Sequence, residues 1–166
     1  DSAWASYVAA KGVPVVGGIS PEAPFLSNPD FYPSGTQLVV QTVGTVALAR
    51  TAGRKHIGVL YCAESPICAQ LVPLATGAAA LSGLKISTEK IAATAPNYTA
   101  PCLSQKQAGV DALFVADNAA VVQRFVAGCA QQGYKPQQVS QITASTNSWL
   151  TDPNFEGILL AGVNAN

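Results

Sequence analysis

Short apolar segments alternate with longer amphipathic ones along this chain, and that alternation constrains the fold more than any other feature. Residues 13–17, 57–61, 85–91, 111–116, 139–143 and 157–163 read as strands. Between them the apolar spacing changes from a run to the three-and-four pattern of a helix. Val39, Val43, Val46 and Ala47 form one such face, closed by Gly53. Ile67, Leu71, Leu74, Ala78 and Leu81 form a second, with Ser65 at its N-cap, Pro66 at the first helical position, Pro73 inside it and Gly83 at its end. Thr99 opens a short helix that closes at Gly109, and Asn118 opens another that carries Val121, Val122, Phe125, Val126 and Cys129 to Gly133. Residues 1–12 read as a helix ending at Gly12, entered from its interior. Strands that alternate with helices at regular spacing predict an α/β fold, a doubly wound parallel sheet flanked by helices.

Composition fits that fold and excludes several others. Half of the 166 residues are hydrophobic (49%) and only 11% are charged, enough to cover both faces of a sheet and incompatible with a disordered chain. Nine basic residues balance nine acidic ones, with no basic stripe, so no nucleic acid is expected as a partner. Gly, Pro, Thr or Gln interrupts every apolar run well short of a membrane span. His56 is the sole histidine, and the four cysteines, Cys62, Cys68, Cys102 and Cys129, lack a CxxC spacing; no metal or cofactor site is expected. Four cysteines allow three disulfide connectivities, or none in a reducing compartment.

Residues 18–36 carry Pro21, Pro24, Pro29 and Pro33 among Gly, Ser and Asn, a long irregular connection of the kind that joins domains or carries function. In an open α/β sheet ligands bind beyond the carboxyl ends of the strands, where helix N-termini also point. That rule selects Ile19 and Ser20 after the first strand, Glu64 and Ser65 after the second, Asp117 and Asn118 after the fourth, and Ser145 and Thr146 after the fifth. Hydroxyls and helix N-termini hold a carboxylate, and Glu64 or Asp117 holds an ammonium. Ser65, Thr99 and Asn118 are also simple caps, and Glu64 and Asp117 sit where a helix dipole alone favours an acid. Trp4 reads as a buried helix residue; Trp149 fits either a cleft wall or the core. Asn97-Tyr98-Thr99 matches a glycosylation sequon, a pattern common by chance.

Enzymatic readings lack parts. There is no GxSxG elbow, no GxxxxGK[ST] loop and no GxGxxG after a strand. His56 precedes a strand and so belongs at the opposite edge from the candidate site.

Several segments, in order, carry a family likeness: Val13-Pro-Val-Val-Gly-Gly, Asn28-Pro-Asp-Phe-Tyr-Pro-Ser-Gly, Ile57-Gly-Val-Leu-Tyr-Cys, Asn97-Tyr-Thr-Ala-Pro-Cys-Leu, Lys106-Gln-Ala-Gly-Val-Asp-Ala-Leu-Phe-Val-Ala and Cys129-Ala-Gln-Gln-Gly-Tyr-Lys-Pro. Together they resemble the middle of type I periplasmic-binding-fold proteins, above all the branched-chain amino acid (Leu/Ile/Val) binding group of ABC-transporter receptors. The resemblance implies two lobes joined by three crossovers, with a small-molecule ligand enclosed between them. Residues 1–35 then correspond to the end of the first lobe and a crossover near Asn28 to Gly35, and residues 36–166 to a second lobe incomplete at its C-terminus.

It further implies a non-enzymatic solute-binding protein, exported to the periplasm or cell exterior with or without a lipid anchor, that binds an amino acid or related carboxylate or amide and meets a membrane permease. A ligand-sensing domain of a membrane receptor with the same fold is the alternative. Ile19, Ser20, Asp117 and Asn118 map to ligand-contacting loops of that family. Glu64, Ser65 and Pro66 stand where the family often carries a tyrosine, and Ala144, Ser145 or Thr146 where it carries an ammonium-binding acid. Export makes disulfides the expectation: Cys62 and Cys68 fit a short-loop bridge, while Cys102 and Cys129, on neighbouring parallel helices, are expected to differ in height.

Overall fold

The computed structural model describes residues 2–17, 24–33 and 38–162, without the side chains of Ser2 and Leu26. Helix α1 (Ser2–Ala10) leads through Gly12, at φ +62°, to a two-residue strand β1 (Val15–Val16). A single-turn helix α2 (Pro24–Ser27) precedes β2 (Phe31–Tyr32), which pairs with β1 in parallel, Val15 opposite Phe31. Ala5, Phe25 and Phe31 form an apolar cluster of their own here. Trp4 stacks on Phe31 at 5.7 Å but remains 39% exposed, so it flanks this cluster rather than filling it, contrary to its sequence reading.

The main body follows as α3 (Leu38–Thr51), β3 (His56–Cys62), α4 (Pro66–Ser82), β4 (Lys85–Ile91), α5 (Thr99–Gln107), β5 (Ala112–Ala116), α6 (Ala119–Gln131), β6 (Gln137–Gln141) and β7 (Leu159–Ala161). The five strands β3 to β7 pair in parallel in the order β4-β3-β5-β6-β7. That is the doubly wound arrangement expected: the connection from β4 to β5 steps back over β3, so helices cover both faces. The central strands are buried on both sides. Val59, Phe114 and Ala112 face α3 and α4, while Leu60, Leu113 and Val115 face α5 and α6.

Helix α6 matches its sequence reading at every position, with Val121, Val122, Phe125, Val126 and Cys129 all buried. Helices α3 and α4 do not. The buried face of α3 is Thr42, Thr45, Val46 and Ala49, leaving Val43 and Ala47 exposed. That of α4 is Leu71, Ala75, Ala78 and Ala79, leaving Leu81 91% exposed. Both helices are apolar nearly all round, so large aliphatics misreport which face is inward; small residues let them approach the sheet closely. Pro73 lies within α4, which runs on to Ser82.

Strand β6 ends at Gln141 rather than 143, where Ile142–Ala144 turns into a 3-10 helix, and β7 is confined to Leu159–Ala161. At the start of α5, Tyr98 rather than Thr99 is the N-cap residue, and the Asn97 side chain accepts from the Thr99 amide at 3.2 Å. Gly58 sits at a close approach: a Cβ there would lie 2.5 Å from Oε1 of the buried Gln105 and 3.0 Å from Val110 Cγ1, so both side chains would have to shift.

Both cysteine pairs lie at disulfide distance, Cys62 with Cys68 (Cα–Cα 5.5 Å) and Cys102 with Cys129 (Cα–Cα 5.4 Å). The expected height difference between Cys102 and Cys129 does not arise. The two helices keep one register: Tyr98 meets Phe125 at 5.4 Å, and one turn further Cys102 meets Cys129.

Candidate functional site at the strand ends

The order of the sheet places its switch point between β3 and β5, and the loops leaving those strands carry Glu64, Ser65, Asp117 and Asn118. The structure brings these four together, but assigns them different work. Asn118 is a cap: its Oδ1 accepts from the amides of Ala120 and Val121, both at 3.1 Å. Ser65 occupies the N-cap position of α4 without a side-chain capping bond, leaving its hydroxyl uncommitted to the helix. Glu64 accepts from the Ala93 amide at 2.7 Å, holding the loop after β4 against the loop after β3.

Asp117 uses one oxygen, Oδ1, on the amide and side-chain nitrogen of Asn118 (2.7 and 3.0 Å); its Oδ2 is buried without a partner. Burial pushes the Asp117 carboxyl above its ordinary value. The Asn118 amide works against that, Glu64 adds to it, and Arg124 opposes it.

Arg124 of α6, which the sequence reading missed, organises the neighbouring loop. Its guanidinium donates to the carbonyl of Ala93, to that of Ala95 at 3.3 Å and to the Tyr98 hydroxyl at 3.3 Å, and lies over the Tyr98 ring. Burial raises the Tyr98 phenol above its ordinary value, with Arg124 pulling the other way. The only hint in sequence was a single cation among the apolar residues of α6.

A cavity of about 240 Å³ opens beside Asp117, between the ends of β5 and β6 and the first turns of α3 and α4. Its walls are apolar: Leu38, Ile67, Leu71 and Phe114, with Ala144 at one side. Its polar residues are Asp117 and Gln141, and Nε2 of Gln141, like Oδ2 of Asp117, is buried without a partner. The sequence places Gln141 inside a strand running to Thr143; β6 ends at Gln141, which puts it at the carboxyl edge of the sheet.

Ser145 and Thr146 line a different cavity, of about 540 Å³, with Trp149, Phe155 and Leu160. Ser145 donates to the Ile142 carbonyl at 2.7 Å and Thr146 bonds Ser148 at 2.8 Å, so both serve the 3-10 turns locally. Trp149 is 5% exposed and stacks on Phe155 at 4.5 Å, so it belongs to the core and also borders this cavity. Ile19 and Ser20 lie outside the described residues. His56 sits at the opposite edge, as anticipated, half-buried, with Nε2 2.9 Å from the Ser87 hydroxyl. Among the described residues no cluster of His, Cys, Asp and Glu could hold a metal, and no helix is long and apolar enough to cross a membrane.

A doubly wound parallel sheet with helices on both faces is the architecture of one lobe of the type I periplasmic-binding fold. The family comparison agrees: the model described as "Periplasmic binding protein" matches residues 2–162, and the chain belongs to that family. Among solved structures it is similar to a branched chain amino acid ABC transporter from Thermus thermophilus with bound valine (16% identity, 92% of this chain and 39% of that one, TM-score 0.76). It is also similar to a fatty acid ABC transporter substrate-binding protein from Thermomonospora curvata (16%, 97% and 42%, 0.76). A third is the solute binding protein of an ABC transporter from Rhodopseudomonas palustris BisB5 in complex with 3,4-dihydroxy benzoic acid (18%, 84% and 39%, 0.65). At these identities the likeness is one of fold, and the chain spans about two fifths of the length of the structures it matches. No curated protein sequence matches the chain.

Proposed function

We propose that this chain is the greater part of the second lobe, with the end of the first, of an extracytoplasmic solute-binding protein that delivers a small molecule to an ABC-transporter permease in the membrane. Residues 1–35 are assigned to the first lobe and its crossover, and residues 36–166 to the second. A periplasmic or cell-surface location, with or without a lipid anchor, goes with that role. The observation that carries the reading is the cavity at the ends of β5 and β6, in which Asp117 Oδ2 and Gln141 Nε2 stand unpartnered beside apolar walls. A buried polar atom without a partner costs about 1–3 kcal/mol, and a bound ligand that supplies the missing bonds recovers it.

The ligand class follows from that lining. Volume of about 240 Å³ exceeds the ~150 Å³ that accepts a benzene ring, so one wall of the cleft takes a compact apolar body. Gln141 donates to a carboxylate or carbonyl; Asp117 accepts from an ammonium, amide or hydroxyl. An amino acid or a related small carboxylate or amide with an apolar side meets both. Valine and a dihydroxybenzoic acid, bound by two of the similar structures, are of that size and mixed character. Glu64, Ser65 and Asn118 shape the crevice around it, and Ile19 and Ser20 belong to the facing lobe. Closure of the two lobes then shifts an open–closed equilibrium, because only the closed form contacts the ligand from both sides.

A thermal-shift panel of amino acids, amides, small carboxylates and aromatic acids, run on the two-lobe protein with this chain as control, tests the reading. A ligand at a hundredfold excess over its dissociation constant should stabilise the two-lobe protein by about 2.7 kcal/mol and the single lobe far less. Silence across the panel from a cooperatively folding protein would count against these ligand classes.

A further inference from the structure

We propose that the opposite edge of the sheet holds a second site, for a small oxyanion of the phosphate class, in the cavity between Arg54 and Lys135. All strands of the main sheet run parallel, so all of them begin at one edge. Six of the nine basic residues collect there: Arg50 in the last turn of α3, Arg54 and Lys55 before β3, Lys85 at the start of β4, Lys106 in the last turn of α5, and Lys135 before β6. The chain is neutral overall, so this is a separation of charge. Arg50 and Lys106 have a sufficient local reason, since cations favour helix C-termini and Lys106 donates to the Gln132 carbonyl at 2.8 Å. Arg54 and Lys135 have none.

Two carboxylates of this edge are hydrogen-bonded to amides rather than paired with these cations. Asp111 accepts from the backbone amides of Lys55 and His56 at 2.8–3.1 Å, and Asp152 accepts from the amide and side chain of Asn154, both at 2.9 Å. Glu156 is the one carboxylate that lines the cavity.

The cavity measures about 340 Å³ and is lined by Arg54, Lys135, Gln137, Gln138, Asn154 and Glu156, together with two prolines. Arg54 is half-buried and its Nε is wholly buried without a hydrogen-bond partner. No acceptor among the described residues pairs this guanidinium at its Nε, and a planar fork that lines one cavity with an ammonium matches the oxygens of a phosphate group. Glu156 limits the positive charge, which favours a monoanion. β3 alone separates this edge from the switch point by roughly 20 Å, so the site is independent of the ligand crevice.

The test is a titration of the ¹⁵N-labelled chain with inorganic phosphate, following the Arg54 Nε–H signal and the amides of Lys135 to Gln138, against chloride at matched ionic strength. The proposal expects a saturable shift with phosphate alone, weakened about tenfold in Lys135→Gln by loss of a charge-assisted bond and strengthened in Glu156→Gln. Both residues are exposed, so neither variant puts the fold at stake. Co-sedimentation with phosphatidylglycerol vesicles, against phosphatidylcholine, separates the sources: vesicle binding that phosphate competes away marks a lipid headgroup, and phosphate binding without it marks a soluble anion. An equal response to chloride, a response that never saturates, or one indifferent to both substitutions overturns the site and leaves the strand-end crevice untouched.

Discussion

On one face of the sheet, α5 and α6 lay Tyr98, Phe125, Val126 and the Cys102–Cys129 pair against Leu60, Leu113 and Val115, with Trp149 and Phe155 stacked beside them. On the other, α3 and α4 bring Val46, Ala49, Ala75, Ala78 and Ala79 against Ile57, Val59 and Phe114. The first face is filled by large rings and a cysteine pair at disulfide distance; the second is closed by small residues that let helices and sheet approach. The functional consequence differs as well. The aromatic face ends in a loop held tightly by Arg124 and Glu64, whereas the alanine face opens, at the first turns of α3 and α4, into the apolar cavity beside Asp117. Bulk secures one half of the lobe, and the other keeps room for a guest.

This contrast sets an order of expected effects. Phe125→Ala should be the most costly change, by about 3–5 kcal/mol in a denaturant titration, because the ring is wholly buried at the centre of the aromatic face. Ala79→Leu tests the opposite vulnerability. Ala79 has no exposed surface, so extra volume should cost about 1–3 kcal/mol through strain, and a neutral result would mean that α4 can move away from the sheet. The two helix caps sharpen the comparison further. Asn118→Ala on α6 removes two hydrogen bonds to the first turn and should cost about 1 kcal/mol, whereas Ser65→Ala on α4 removes none to the backbone there and should cost less than ~0.5 kcal/mol.

The smallest effect is one of pH. Folding raises the Asp117 carboxyl, so the native state binds a proton more tightly than the unfolded chain and pays for its charge above that raised value. Asp117→Asn should therefore be the more stable form at neutral pH, and its advantage should fade as pH falls through the range just above that of an ordinary carboxylate. Paired melts of the two forms from neutral to mildly acidic pH check it; a constant difference would remove burial as the cause.

The same contrast explains what could be read in the sequence. Helix α6 alternates clearly between apolar and polar positions, so its face, cap and end were all legible, as was the parallel alternation of strands and helices. On α3 and α4 apolar residues occur all round, and Val43, Ala47 and Leu81 proved to be outside because the spacing of large aliphatics carries no direction when small residues do the packing. Of the candidate residues, the strand-end rule selected Glu64, Ser65, Asp117 and Asn118, which lie together on the loops after β3 and β5. It could not find Gln141, because Ile142 and Thr143 extend the apparent strand past its real end in a 3-10 turn, or Arg124, which acts across 26 residues on Tyr98. Nor could it tell that Ser145 and Thr146 belong to a second cavity, which depends on three-dimensional turns after β6.

The central claim is that the unpartnered groups of Asp117 and Gln141 receive a ligand. Calorimetric titration of the panel compound that most stabilises the two-lobe protein, into wild type, Asp117→Asn and Gln141→Leu, tests it most directly. Loss of a charge-assisted or buried hydrogen bond should weaken binding by roughly tenfold or more in each variant, with the fold intact by melting. Wild-type affinity in both variants would contradict the account and place the ligand elsewhere on the protein.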